Sequence, residues 1–241
     1  MLAAGCGGSA GSQSKELALG YLGWTENVAI SNLTKVLMEE DLGYEEVELR
    51  LTDVGPLYQG LGGGDLDAFQ DSWLPNQQPY LSKVQDDVEV LEPWYRGAAT
   101  SGLAVPDYME DVRSIPDLEN SGVDGITGIE PGSAFDEVVK SEVIPGYGLD
   151  KELVSSSTTG MLTSLEKAYE NKEPIVVVAW KPHWMNERFD LRYLEDPEGL
   201  QGAAADPEEV SITTVVNEDL PEDDPVAHAF LGAVSLDEEQ I

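Results

Sequence analysis

Pro174-Ile175-Val176-Val177-Val178-Ala179-Trp180 is the most strand-like run in the chain. A short, continuous apolar run rich in β-branched residues predicts a strand buried on both faces. Such strands lie inside α/β sheets whose faces are covered by helices. The run also delivers Trp180 to the strand's carboxyl end, where open α/β sheets bind their ligands. One stretch therefore predicts both an architecture and a place to look for a site.

Outward from this run, strands and helices alternate. Upstream, Ser157 can cap a helix with Met161, Leu162, Leu165, Ala168 and Tyr169 on one face. Before it, Ser133 opens a helix carrying Phe135, Val138 and Val139, with Asp136 completing a Ser-x-x-Asp capping box. Residues 126–129 and 102–105 read as short apolar strands. Nearer the start, residues 17–22 read as a buried strand. Residues 26–40 follow as a helix with Ile30, Leu33 and Leu37 at helical spacing and Thr25 as N-cap. Residues 47–51 alternate as a half-buried strand, and Pro56 opens a short helix that ends in Gly62-Gly63-Gly64. Downstream, residues 211–216 read as a return strand. This order predicts an α/β protein with largely parallel sheets, in two halves with a cleft between them.

Composition bounds the function. The 241 residues suffice for one large or two modest domains, and 41% are hydrophobic, enough to build a core. With 47 acidic against 13 basic residues the net charge is −34, which makes nucleic acid and anionic membrane surfaces poor partners. The acid is dispersed along the chain rather than gathered in a tail. On a foldable chain that pattern looks like the surface of a halophilic protein, where salt screens self-repulsion. The acidic run Glu218–Asp224 lacks the spacing of a calcium loop and reads as a solvated loop or helix start. No metal site and no cofactor is expected.

Cys6 is the single cysteine, which excludes an internal disulfide. Small residues before it and a Gly/Ser-rich tether after it resemble a lipobox, although the charged and apolar parts of a signal peptide are missing. The expectation is a lipid attachment at Cys6 within a 1–14 linker; an incidental cysteine in a flexible start is the alternative. No apolar run approaches transmembrane length.

Five tryptophans sit in four words: Gly23-Trp24-Thr25-Glu26, Asp71-Ser72-Trp73-Leu74-Pro75, Pro93-Trp94-Tyr95 and Trp180-Lys181-Pro182-His183-Trp184. They fall at strand ends or in loops, far apart in sequence. That suits a pocket assembled from several segments, and aromatic faces attract quaternary ammonium groups. Each ring taken alone also fits an ordinary core anchor.

These words resemble the substrate-binding proteins of ABC importers for glycine betaine, choline and related quaternary amines. The resemblance runs from Leu19 to about Leu236. It rests on Gly-Trp-Thr-Glu (23–26), Gly-Asp-Leu-Asp-Ala-Phe-Gln-Asp-Ser-Trp-Leu-Pro (64–75), Gly-Leu-Ala-Val-Pro-Asp-Tyr-Met (102–109), Gly-Ile-Glu-Pro-Gly-Ser (128–133), Trp-Lys-Pro-His-Trp-Met (180–185) and Asp-Leu-Arg-Tyr-Leu-Glu-Asp-Pro (190–197). It implies a two-lobed periplasmic-binding-protein-like (type II) fold, with residues 15–103 and 206–241 as lobe one and 104–205 as lobe two. Trp24 and Trp73 from lobe one and Trp180 from lobe two would then form an aromatic cage. His183 and Trp184 would support the loop, Trp184 as a core ring, and Trp94 and Tyr95 would line the cleft or belong to the core. The family's betaine binders use amides that map to Ala134 and Phe135; a plain helix cap is the alternative there. A carboxylate-binding histidine of some members maps to Gln78, which loses the charged donor and leaves ligand identity open. Glu26 either contacts the cation or is a first-turn residue favoured by the helix dipole.

The resemblance further implies a lipid-anchored, extracytoplasmic monomer that hands glycine betaine, choline, carnitine or proline betaine to a permease with an ATPase subunit. The family extends about one helix beyond the last word, so this chain is expected to lack that part. An enzyme has little to work with: His183 and His228 are the only histidines, and no nucleophile elbow, phosphate loop or metalloprotease helix occurs. A carboxylate pair carries no information among 47 acids. On the residues alone, a ligand-sensing lipoprotein domain and a two-lobed enzyme acting on a small polar substrate stay open.

Overall fold

The computed structural model describes residues 15–241, so Cys6 and the 1–14 linker lie outside the described residues. Ten strands form two five-stranded sheets. In chain order they are β1 (Glu16–Tyr21), β2 (Glu46–Leu51), β3 (Ala68–Leu74), β4 (Val88–Pro93), β5 (Thr100–Pro106), β6 (Gly125–Thr127), β7 (Glu152–Val154), β8 (Val176–Lys181), β9 (Leu191–Tyr193) and β10 (Ser211–Asn217). The first sheet has the order β2-β1-β3-β10-β4 and the second β7-β6-β8-β5-β9. The chain thus passes from one sheet to the other between Pro93 and Thr100 and returns to the first before Ser211.

The central strands are continuously buried, although only β8 is apolar throughout that stretch and β3 carries Gln70, Asp71 and Ser72. β8 is buried from Val176 to Trp180 and lies third in its sheet, and β3 holds the same place in the first. The sheets are mixed rather than largely parallel. β1 pairs parallel with β2 and β3, and β6 with β7 and β8. β10 runs antiparallel to β3 and β4, and β5 antiparallel to β8 and β9. A crossover helix enforces parallel pairing only between strands it joins. β5 and β10 enter their sheets from the other half of the molecule, so no such constraint acts on them.

The first sheet has a core on each face. Leu17, Leu19, Val47, Ala68 and Val216 pack with Met38 and Leu231 on one side, and Phe69, Ile212 and Val215 join the larger core on the other. The first helix runs Thr25–Asp41. Its buried stripe is Ile30, Thr34 and Met38, with Asn27 and Ser31, while Leu33 is exposed and Leu37 half-buried. The rotation is fixed at its start, where Asn27 Oδ1 accepts the Leu22 amide at 2.6 Å. Thr25 is the first helical residue, not the N-cap, which is Trp24. Ser157 caps the helix Thr158–Asn171 through the Gly160 amide, as expected. Ser133 accepts the Asp136 amide, but Asp136 answers the Ile129 amide, so only half of the expected capping box forms.

Candidate functional site

The parallel strands β1, β3, β6 and β8 all end at the junction of the two halves, where a small, partly open cavity lies. From the first half it is lined by Trp24, Glu26, Trp73, Asn76 and Gln77, and from the second by Ser101, Ile129, Ser133, Ala134, Phe135, Val178 and Trp180. Trp24 precedes the first helix in extended conformation, which turns its ring into the cleft while Glu26 follows in the first turn. Trp73 ends β3, and its indole N–H donates to Asp71 Oδ1 at 3.1 Å, two residues back on the same face of the strand. Val178 and Trp180 share one face of β8, and Ser101 is the cross-strand partner of Trp180.

Among the described residues, the cavity is lined by no Lys, Arg or His, and its one charged lining residue is Glu26. Glu26 is 3% exposed, and its Oε1 accepts the Trp180 indole N–H at 2.9 Å while Oε2 has no partner. Burial lifts its pKa to about 8; its own backbone and Trp180 oppose the shift by hydrogen bonding, and the charge of Glu130 adds to it. Asp71 is wholly buried behind Trp73, and burial, then the charge of Glu26, raises its pKa well above the ordinary value. Burial thus raises the pKa of both acids, Glu26 to about 8, and a nearby cation would draw each of them toward ionisation.

Donors for an anionic group sit at the opposite chemistry. Ser133, Ala134 and Phe135 open the helix Ala134–Val138, and the first amides of a helix have no intrahelical acceptor. Gln77 is 1% exposed; its Oε1 accepts the Tyr58 hydroxyl at 2.8 Å, and its Nε2 is buried without a partner.

Residues 15–241 match the substrate-binding domain of ABC-type glycine betaine transport systems. The chain belongs to this family. The Listeria monocytogenes glycine betaine/carnitine transport binding protein GbuC is 40% identical over 109 residues, 44% of this chain and 34% of that protein. The match thus spans about a third of that curated relative. Lactococcal OpuAC, closed on glycine betaine, superposes with a TM-score of 0.84 at 32% identity over 93% of this chain and 86% of that one. A choline-binding protein of an ABC transporter, in complex with choline, gives 0.82 at 25% identity over 93% and 79%. Like these proteins, the chain is two-lobed.

Of the residues picked out from sequence, Trp24, Trp73, Trp180, Glu26, Ala134 and Phe135 meet in the cavity. Gln78 does not: it is exposed, and its amide donates to Ser82 Oγ at 3.1 Å. The Gln77 amide donates to the Trp73 carbonyl at 2.8 Å, closing a turn after Trp73. That turn puts Gln77 in the cavity. His183 supports from behind. Its Nδ1 accepts the Met185 amide, so Nε2 carries the proton toward Thr25 Oγ1 at 3.1 Å, and its ring packs edge-on against Trp180. Burial lowers its pKa to about 4. Trp184 is 39% exposed and stacks near His183, Phe189 and the Arg188 guanidinium, so it is a surface ring and not a core one. Trp94 and Tyr95 are core: both are buried, neither lines the cavity, and the Trp94 indole donates to the Gln70 carbonyl. Sequence reasoning passed over Asp71 and Gln77. The two-residue strand period could have found Asp71 in the Asp-Ser-Trp word.

Among the described residues no group of side chains is arranged to hold a metal ion, and no helix is long and apolar enough to cross a membrane.

Proposed function

We propose that this chain is the extracytoplasmic ligand-capturing component of an ABC importer for quaternary ammonium osmolytes, glycine betaine first and choline as the main competitor. The observation that carries this reading is the convergence of Trp24, Trp73 and Trp180, from three separate segments and both halves, on one cavity that no basic side chain of the described residues lines. Three indole faces attract a trimethylammonium group that no hydrogen bond can hold, each contributing about 0.5–2 kcal/mol. Gln77 Nε2 and the Ala134 and Phe135 amides suit a betaine carboxylate. Glu26 and Asp71 favour ligands with net positive charge, which keeps choline in play.

The two halves act as jaws, as in the lactococcal protein closed on its ligand, and the closed form is what a permease with its ATPase subunit receives. The protein binds without turning its ligand over, as membership of a transport family suggests. Cys6 carries the lipid anchor, the protein works as a monomer, and the dispersed acid is an adaptation to high salt.

Titration calorimetry in molar salt with glycine betaine, choline, carnitine, proline betaine and a neutral tert-butyl isostere tests the reading. The isostere should bind at least about tenfold more weakly, roughly 1.4 kcal/mol. Equal affinity for isostere and betaine would sink the cage mechanism.

A further inference from the structure

Besides the Thr25–His183 contact and the Tyr80 hydroxyl that donates to the Gly132 carbonyl, two indole hydrogen bonds cross the cleft in opposite senses. Trp24, carried by the first half, donates its indole N–H to Glu130 Oε2 of the second half at 3.3 Å. Trp180, carried by the second half, donates its own to Glu26 Oε1 of the first at 2.9 Å. Glu26 lines the cavity and Glu130 does not. Glu130 is fixed from its own side by Thr158, whose amide donates to Oε1 at 2.8 Å and whose hydroxyl donates to Oε2 at 2.9 Å. Its acceptor is thus in place before Trp24 arrives.

We infer that Glu130 is a positioning residue of the cage, locking the plane of the Trp24 ring only when the halves are closed, and forming with the Glu26–Trp180 bond a reciprocal latch. The inference rests on the cation-cage reading. An indole has one polar hydrogen, so its single bond sets the orientation of the ring face that meets the cation. When the halves part, both rings lose their acceptors together, because each acceptor belongs to the other half. The cage is therefore assembled by closure rather than present in the open form, and opening releases both rings at once. A carboxylate at the N–H edge also adds negative potential to a ring whose face already attracts cations.

Glu130 has a second duty, since it satisfies the first amide of the helix Thr158–Asn171 beside the Ser157 cap. The test must separate the two. Glu130→Gln cannot do both jobs: whichever way the amide turns, its NH2 faces either the Thr158 N–H or the Trp24 N–H. Thr158→Val removes a contact to Glu130 without touching Trp24. Glycine betaine association and release are measured by stopped-flow fluorescence on the full chain. In parallel, the indole N–H signals of 15N-labelled protein are followed with and without ligand, and melting temperature is recorded for each variant.

Glu130→Gln should speed release about tenfold, with association changed less than about twofold, and should abolish the ligand-induced shift of the Trp24 indole signal while leaving that of Trp180. Thr158→Val should lower the melting temperature but leave release unchanged. In a Trp24→Phe background, which leaves the helix cap intact, Glu130→Gln should alter release by less than about twofold, since the bond it breaks is already gone. If Glu130→Gln melts lower yet releases ligand at the wild-type rate with the Trp24 signal still moving, Glu130 only caps a helix and the inference is overturned. An equal effect of Glu130→Gln with and without Trp24 overturns it too. Wild-type protein that binds no quaternary amine overturns the cage reading itself, and this inference with it.

Discussion

Binding of a pure cation should pull a proton off Glu26, and choline affinity should therefore climb with pH. Burial raises the Glu26 pKa to about 8, which leaves it mostly protonated at neutral pH. The sign follows from that direction. A carboxyl whose folded pKa lies above its ordinary value, about 4.3, stabilises the fold fully below that value and loses the contribution as pH rises through 8. A quaternary nitrogen has no proton of its own, and its charge offsets the cost of ionising Glu26. At a separation of about 5 Å and an effective dielectric of about 20, the attraction is roughly 3 kcal/mol. At about 1.4 kcal/mol per unit this corresponds to about two pH units. Choline affinity should then rise up to about tenfold per unit over the two units below pH 8, and level off above. Calorimetry at pH 6, 7, 8 and 9, in buffers of different ionisation enthalpy, should count close to one proton released at pH 7 and almost none at pH 9. Glu26→Gln should flatten the profile. Asp71, raised partly by the charge of Glu26, is the internal control. A wild-type profile that is flat, or a slope that survives in Glu26→Gln, refutes the assignment; the latter would move the proton to Asp71.

Further outcomes test the placement of side chains. Trp180→Ala should weaken betaine binding about hundredfold or more, roughly 2.8 kcal/mol, while Trp184→Ala should shift Kd less than about twofold and stability by no more than about 1 kcal/mol; calorimetry and thermal melts read both. Gln77→Leu should weaken glycine betaine more than choline, by about tenfold in the ratio, because only the betaine brings a carboxylate to the unpartnered amide, whereas Gln78→Leu should leave the ratio unchanged. With a net charge of −34 the melting temperature should rise steeply between dilute buffer and molar potassium chloride, as the screening length falls from ~30 Å at 0.01 M to ~3 Å at 1 M. Ligand affinity of the still-folded protein should move less than about tenfold over that range, and full stability in dilute buffer would remove the halophilic reading.

The sequence by itself determined most of the elements and the convergence of three tryptophans. The apolar run at Val176–Lys181 is a central strand, Ser157 is a cap, and Trp24, Trp73 and Trp180 reach one cavity, because burial periodicity and short words at strand ends are local properties of the chain. Tertiary structure alone decided the rest. Whether Gln77 or Gln78 faces the cavity depended on a single turn after Trp73. Which stripe of the first helix is buried depended on how Asn27 docks against Leu22. The antiparallel entry of β5 and β10 depended on strands arriving from the other half. Trp184 and Trp94 carry the same side chain, yet one is a surface ring and the other core. The contacts of Trp24 with Glu130 and of Trp180 with Glu26 join residues 106 and 154 positions apart. No periodicity reaches that far: such contacts, and the raised pKa of Glu26 that burial produces, exist only once the two sheets meet and exclude water from between them.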